Sequence, residues 1–188
     1  MKLSHALLAG ALALSVAACQ PAEPPAPPPA SKADAEDCYR KQDYRCAAIN
    51  YYGYLKLYPN ETDTRAIYAI TLTKSGQHAL SIAQYEMAMN QGAGAYDLFA
   101  NYAISLDAVG KLDESMKWNR KTLELIPGLV DVRGTLAQQL VRQGKHDEAI
   151  KLLQDFDAYL KKNNHPPYFT AQIMTIKDAK AKAAAKAG

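Results

Sequence analysis

Neither sign of charge dominates this chain of 188 residues. Lys and Arg number 22 against 19 Asp and Glu, for a formal net charge of +3, which falls to about +2 once Lys2 leaves with the leader described below. That balance lacks the basic footprint of a nucleic-acid-binding domain, so no nucleic-acid partner is expected. The apolar run from Leu7 to Ala18 falls short of the ~20 residues a bilayer-spanning helix needs. Cysteine is scarce, with three residues, no Cys-x-x-Cys pair and no histidine near Cys38 or Cys46. Nothing here has the company of a metal site. Aromatic residues other than tyrosine are also few: one Trp and three Phe against 12 Tyr. His78 and His146 share a position just after a turn glycine, a place that Tyr44 and Leu112 fill elsewhere. They read as packing residues. No nucleophile and base recur in a consistent frame, so no enzyme, cofactor or small-molecule substrate is expected.

What the chain does contain is a period. Gly76, Gly110 and Gly144 lie thirty-four residues apart, as do Asp63, Asp97 and Asp131, and Ala69, Ala103 and Ala137. A shared period of this length marks a stack of helix hairpins. The small residues let paired helices approach, the glycine permits a tight turn, and a proline stops the second helix. Three carboxylates at one repeat position invite a site, but Asp is a preferred helix N-cap and capping is the expected role.

On these residues the chain resembles the tetratricopeptide repeat family. Tyr96 to Leu129 fits best, with Phe99, Ala103, Leu106, Gly110, Ser115, Leu123 and Pro127 where the family pattern has them. It departs at Asn119 and Thr122, which replace the usual aromatic and alanine, and Trp118 sits one place early. The expected fold is all-α, a helix-hairpin solenoid with a C-terminal capping helix. Its repeats are 62–95, 96–129 and 130–163. Residues 31–61 form an imperfect first hairpin whose turn has Gln42 in place of glycine, and 164–188 form the capping helix and a Lys/Ala-rich tail. The frame carried forward puts Ala171 and Met174 at core positions of that last helix.

The N-terminus resembles a bacterial lipoprotein signal. A short apolar stretch ends in Val16-Ala17-Ala18-Cys19, similar to a lipobox. The resemblance implies a signal peptide at 1–18 and lipid on Cys19. Gln20 in the next position favours the outer membrane over the inner. Residues 19–30 then read as a Pro-rich tether with a reach of roughly 30 Å. Export places Cys38 and Cys46, four residues either side of Gln42, in an oxidising compartment. A disulfide there would staple the first hairpin by about 2–3 kcal/mol. The alternative is two buried thiols whose β-carbons point apart.

In the tetratricopeptide family ligands bind the concave surface lined by the first helix of each hairpin. By that resemblance the partner groove comprises Ile67, Ile70, Lys74, Asn101, Ile104, Gln138 and Arg142, with small residues at Ala66, Ala100 and Gly134 leaving room for a bound segment. A chaperone-type carboxylate clamp is not expected, because only Asn101 matches it. Tyr39, Tyr52 and Tyr58 fall outside the core pattern and form a possible aromatic edge. The expected function is a lipid-anchored periplasmic adaptor that binds a short segment of another cell-envelope protein, of pilotin or accessory-factor type. The alternative is a regulator of a cell-wall synthase or hydrolase.

Overall fold

The structure is a computed structural model that describes residues 30–187. The leader, Cys19 and the tether up to residue 29 lie outside the described residues. Those described form nine α-helices and no strand: α1 (Lys32–Arg40), α2 (Tyr44–Leu57), α3 (Thr62–Lys74), α4 (His78–Asn90), α5 (Tyr96–Ala108), α6 (Leu112–Leu125), α7 (Val130–Arg142), α8 (His146–Lys162) and α9 (Thr170–Ala187). Successive helices pair as antiparallel hairpins, and each hairpin packs on the next.

The period is visible as a ladder of buried small side chains. Ala35, Ala69, Ala103 and Ala137 are each fully buried, as are Ala47, Ser81, Ser115 and Ala149 on the partner helices. No larger residue fits where two helix backbones approach this closely. The ladder starts at Ala35, so α1 and α2 are a complete first hairpin in the same frame.

The hairpins also turn alike. Gly76, Gly110 and Gly144 take φ of +77°, +83° and +75°. The next amide then donates to the carbonyl five residues back: Gln77 to Leu72 at 2.8 Å, Lys111 to Leu106 at 2.8 Å and Lys145 to Leu140 at 2.9 Å. This is the Schellman closure, which satisfies carbonyls left over at a helix end. The first hairpin makes the same turn without glycine. Gln42 takes φ of +60° and Asp43 donates to the Cys38 carbonyl at 2.9 Å. Its β-carbon costs about 1–2 kcal/mol in that conformation. Cys38, which stands where Leu72, Leu106 and Leu140 stand in later repeats, is disulfide-bonded to Cys46 with Cα atoms 5.7 Å apart. The alternative of two separate thiols does not apply.

Two loops between hairpins are held by arginines that share a repeat position. Arg65 Nη2 donates to the Pro59 carbonyl and Arg133 Nη2 to the Pro127 carbonyl, both at 2.6 Å. Arg133 also lies 4.4 Å over the Phe156 ring.

Asp63, Asp97 and Asp131 are not caps. They occupy the second residue of their helices, and the capping residues are Glu61, Ala95 and Leu129, none with a side-chain cap bond. The carboxylates instead face the positive helix ends, a weaker role of about 0.3–1 kcal/mol each. Side-chain caps do occur at Ser31 and Asp43, which accept from Asp34 and Cys46 amides. The repeat frame also fails in α9. Phe169, Ile173 and Ile176 are buried, whereas Ala171 is exposed and Met174 is 62% exposed. The cause is upstream. α8 runs 17 residues against 13 or 14 for α2, α4 and α6. Asp157 near its end accepts from the Tyr168 and Phe169 amides, which sets α9 at a new phase. In that phase α9 covers the apolar end of the α7–α8 hairpin.

Gln42→Gly should raise unfolding stability by about 1 kcal/mol through relief of the left-handed strain, measured by urea denaturation with the disulfide intact. Gln42→Ala, which keeps the β-carbon, should show no such gain. An equal effect in both variants would mean the turn is unstrained.

Candidate functional site on the concave face

Between neighbouring hairpins the helix faces carry polar residues inside the core, and they meet in one register used twice. At the α3–α4–α5 junction, Thr73 Oγ1 lies 2.8 Å from both Tyr85 OH and Ser105 Oγ, and Ser81 Oγ lies 2.7 Å from Ser105 Oγ. Thirty-four residues on, the same four positions hold Asp107, Asn119, Gln139 and Ser115. Gln139 Nε2 donates to Asp107 Oδ2 at 3.0 Å and to Ser115 Oγ at 2.8 Å. Asn119 Nδ2 donates to Gln139 Oε1 at 2.9 Å, and Ser115 Oγ donates to the Ala103 carbonyl at 2.7 Å. The two junctions are the same device with the lengths exchanged. A long Tyr85 and a short Ser105 both reach Thr73, whereas a short Asn119 bonds directly to a long Gln139. The departure at Asn119 from the family aromatic is thereby explained.

The second junction differs in carrying charge. Arg142 donates to both oxygens of Asp107, across from α7 to α5. The Arg142 hydrogen bond holds the Asp107 carboxyl below the usual carboxylate range, against the opposing effect of burial and with further help from Gln139.

Above this junction the concave face opens into a pocket of about 440 Å³, walled by Ala103, Ile104, Asp107 and Ala108 of α5 and by Thr135, Gln139 and Arg142 of α7, with Asn119 of α6 among its lining residues. Ile104 is 50% exposed. The structure thus gathers Ile104 and Arg142 from the expected groove, and adds Asn119 and Gln139, which sequence reasoning passed over. The signal for them was the paired exchange of long and short polar residues one repeat apart.

The rest of the expected groove is dispersed. Ile67 is half-buried against the α1–α3 core and Ile70 against the α4–α5 core. Lys74 Nζ sits 5.5 Å over the Tyr44 ring. Asn101 is occupied by the Asp97 carbonyl of its own helix at 2.8 Å. Gln138 is exposed on α7. Two of the three small residues do not leave room for a guest. Ala66 packs against the next hairpin, and Gly134 is covered by α9, whose Gln172 donates to the Gly134 carbonyl at 3.2 Å. A β-carbon at Gly134 would meet Phe169 and Gln172 at 3.5 Å. Smallness there seats the following helix. On the proposed aromatic edge, Tyr39 is half-buried edge-on to Tyr44, with ring centroids 5.6 Å apart, and is withdrawn from it. Tyr52 and Tyr58 remain about half exposed, with Lys56 Nζ 4.6 Å over the Tyr52 ring. His78 Nδ1 lies 3.4 Å from Ser105 Oγ and His146 Nδ1 lies 3.0 Å from the Gly144 carbonyl, so both are engaged at their turns. Among the described residues, no three His, Cys, Asp or Glu side chains converge as a metal site, and no helix is long and apolar enough to cross a membrane.

Helix hairpins in this register, with a concave face lined by the first helix of each, define a tetratricopeptide-type solenoid. Solved structures with the same fold include MamA (residues 41 to the end) from Desulfovibrio magneticus RS-1, at TM-score 0.60 and 16% identity over 78% of this chain and 73% of that one. YrrB, a tetratricopeptide repeat protein with an unusual peptide-binding site, aligns at TM-score 0.57 and 17% identity over 64% of this chain and 62% of its own. The first such domain of Spaghetti (RPAP3), bound to the HSP90 peptide SRMEEVD, aligns at TM-score 0.55 and 16% identity over 60% of this chain and 90% of its own. No protein-family model matches the chain, and no curated protein matches it.

Two predictions test the junction. Asn119→Tyr and Gln139→Ser should each destabilise by about 2 kcal/mol, one by overpacking and one by a cavity with orphaned polar groups. Together they set a tyrosine and a serine around Asp107, as Tyr85 and Ser105 are set around Thr73, and should recover at least ~1 kcal/mol of the summed loss in a double-mutant cycle. Strict additivity would refute the equivalence of the junctions. The second concerns pH. Because the folded-state pKa of Asp107 is lowered, its contribution is present above the unfolded value of about 3.9 and lost as pH falls through the lower, folded value. Asp107→Asn should therefore destabilise at pH 7, and the gap to wild type, read from urea midpoints, should shrink below about pH 4.

Proposed function

We propose that this chain is a lipid-anchored periplasmic adaptor that holds a short segment of another cell-envelope protein on its concave face, to recruit or stabilise an assembly. The observation that carries the reading is Ile104: an aliphatic side chain half exposed at an open pocket, on the face that α5 and α7 line. Apolar area on the wall of an open pocket is area that a bound segment gains by covering. Two solved proteins of the same fold bear peptide binding in their descriptions, which supports a peptide-binding use of the fold. The address rests on Val16-Ala17-Ala18-Cys19 and on Gln20 after it, which favour a lipid anchor in the outer membrane. A pilotin or accessory-factor role fits a solenoid this short, whose groove offers space for one segment.

Site-specific photo-crosslinking in the native cell tests the reading, with the probe at Ile104 and a control at Lys117, an exposed residue of α6. One discrete product from Ile104 and none from Lys117 is expected, with the partner identified by mass spectrometry. No product from Ile104 sinks the groove assignment. In the same cells, Cys19→Ala should move the chain from the membrane to the soluble fraction, and unchanged fractionation would refute the anchor.

A further inference from the structure

The orientation of every amide at the second junction follows from one charge. Asp107, ionised and paired with Arg142, can only accept hydrogen bonds. The Gln139 end that faces it at 3.0 Å must therefore be the NH₂, which also donates to Ser115. Ser115 can receive that bond because its own proton goes to the Ala103 carbonyl. The other end of Gln139 is then the oxygen, so Asn119 must face it with its own NH₂, at 2.9 Å. What remains of Asn119 is the carboxamide oxygen. Asn119 is 3% exposed and lines the concave pocket, and among the described residues no donor reaches its Oδ1.

The side chain is buried, but its Oδ1 is not sealed from solvent, so the oxygen is an acceptor open to the pocket. The other repeats show that the position does not require it. Tyr51, Tyr85 and Leu153 occupy the same place at 1%, 0% and 0% exposure. Only at Asn119, among these four, does an amide acceptor meet a concave pocket. The chain Arg142–Asp107–Gln139–Asn119 makes that acceptor rigid as well as oriented.

We infer that the pocket between α5, α6 and α7 selects a hydrogen-bond donor: an N–H of an extended polypeptide segment, received by Asn119 Oδ1, while the adjoining apolar side chain of that segment covers Ile104. Asn119 is thus the specificity residue of the groove, and Gln139 and Asp107 are positioning residues that fix its polarity. A polypeptide fits better than a charged small molecule. The Asp107–Arg142 pair is internally neutralised, and the remaining walls are Ala103, Ile104, Ala108 and Thr135. The inference rests on the adaptor reading and adds to it the chemistry by which the segment is read.

The test pans a random library of displayed peptides, each twelve residues long, on the full chain, and keeps peptides whose binding is lost in Ile104→Lys. For each, every backbone amide is N-methylated in turn and affinity is measured on wild type and on Asn119→Leu, a residue type that Leu153 shows the position accepts. One N-methylation should weaken binding to wild type roughly fivefold to tenfold, the worth of one hydrogen bond. The same methylation should have little further effect on Asn119→Leu. The N-methyl scan on wild type stands even if that variant folds poorly. Peptides that depend on Ile104 but show no methylation-sensitive amide coupled to Asn119 would overturn the donor selection and leave the groove reading intact. No peptide that depends on Ile104 would overturn both.

Discussion

Buried hydrogen bonds between successive hairpins fix how each hairpin sits on the next. A solenoid has no closed core, and each hairpin must recognise the next across one interface. Close packing of the small residues sets how near the hairpins come, and a buried donor set opposite a buried acceptor adds direction, because it loses its partner on any slip and costs the desolvation of both. Thr73 with Tyr85 and Ser105, and Asp107 with Gln139 and Asn119, supply that directionality at two successive junctions. The alanines beneath them bring the helices close enough for such short side chains to meet.

The same economy shapes the two ends. At the first hairpin the turn lacks the glycine the geometry wants, and Gln42 takes the left-handed conformation regardless. The Cys38–Cys46 bridge closes the loop around that turn and restricts the unfolded chain where the folded one is least favoured. At the other end α8 overruns its period, and Asp157 starts α9 from the wrong phase for a fifth repeat but the right one for burying Phe169, Ile173 and Ile176. A capping helix needs one apolar face, so it has no reason to keep a frame that serves faces on both sides.

These constraints leave the face between α5 and α7 open, where polarity and apolar exposure coincide. Earlier along the stack the isoleucines are partly covered, Asn101 is turned back on its own helix and Lys74 is drawn to Tyr44. Later along it, α9 lies over Gly134. Between them, Ile104 stays in solvent beside an amide whose direction is dictated by an ion pair two residues away in the hydrogen-bond chain.

The architecture was legible in the sequence because it depends on local and periodic requirements. A glycine at a left-handed turn, an alanine at a close helix crossing and a thirty-four-residue interval are each visible one residue at a time. Even the first hairpin could be read through Gln42, since the frame runs back through Tyr44, Tyr51, Tyr54 and Pro59. The places where the reading failed are those governed by contacts between elements. Whether Asp63 caps a helix or follows the cap depends on where the preceding loop ends. Whether Gly134 makes room for a partner or for α9 depends on a helix some forty residues away. Asn119 looked like a lapse from the pattern until Gln139 was seen to complete it from the next repeat. Side-chain identity and spacing determine which helices form and how they stack. Which polar end faces the groove is decided only when three helices, and one charge, have been brought together.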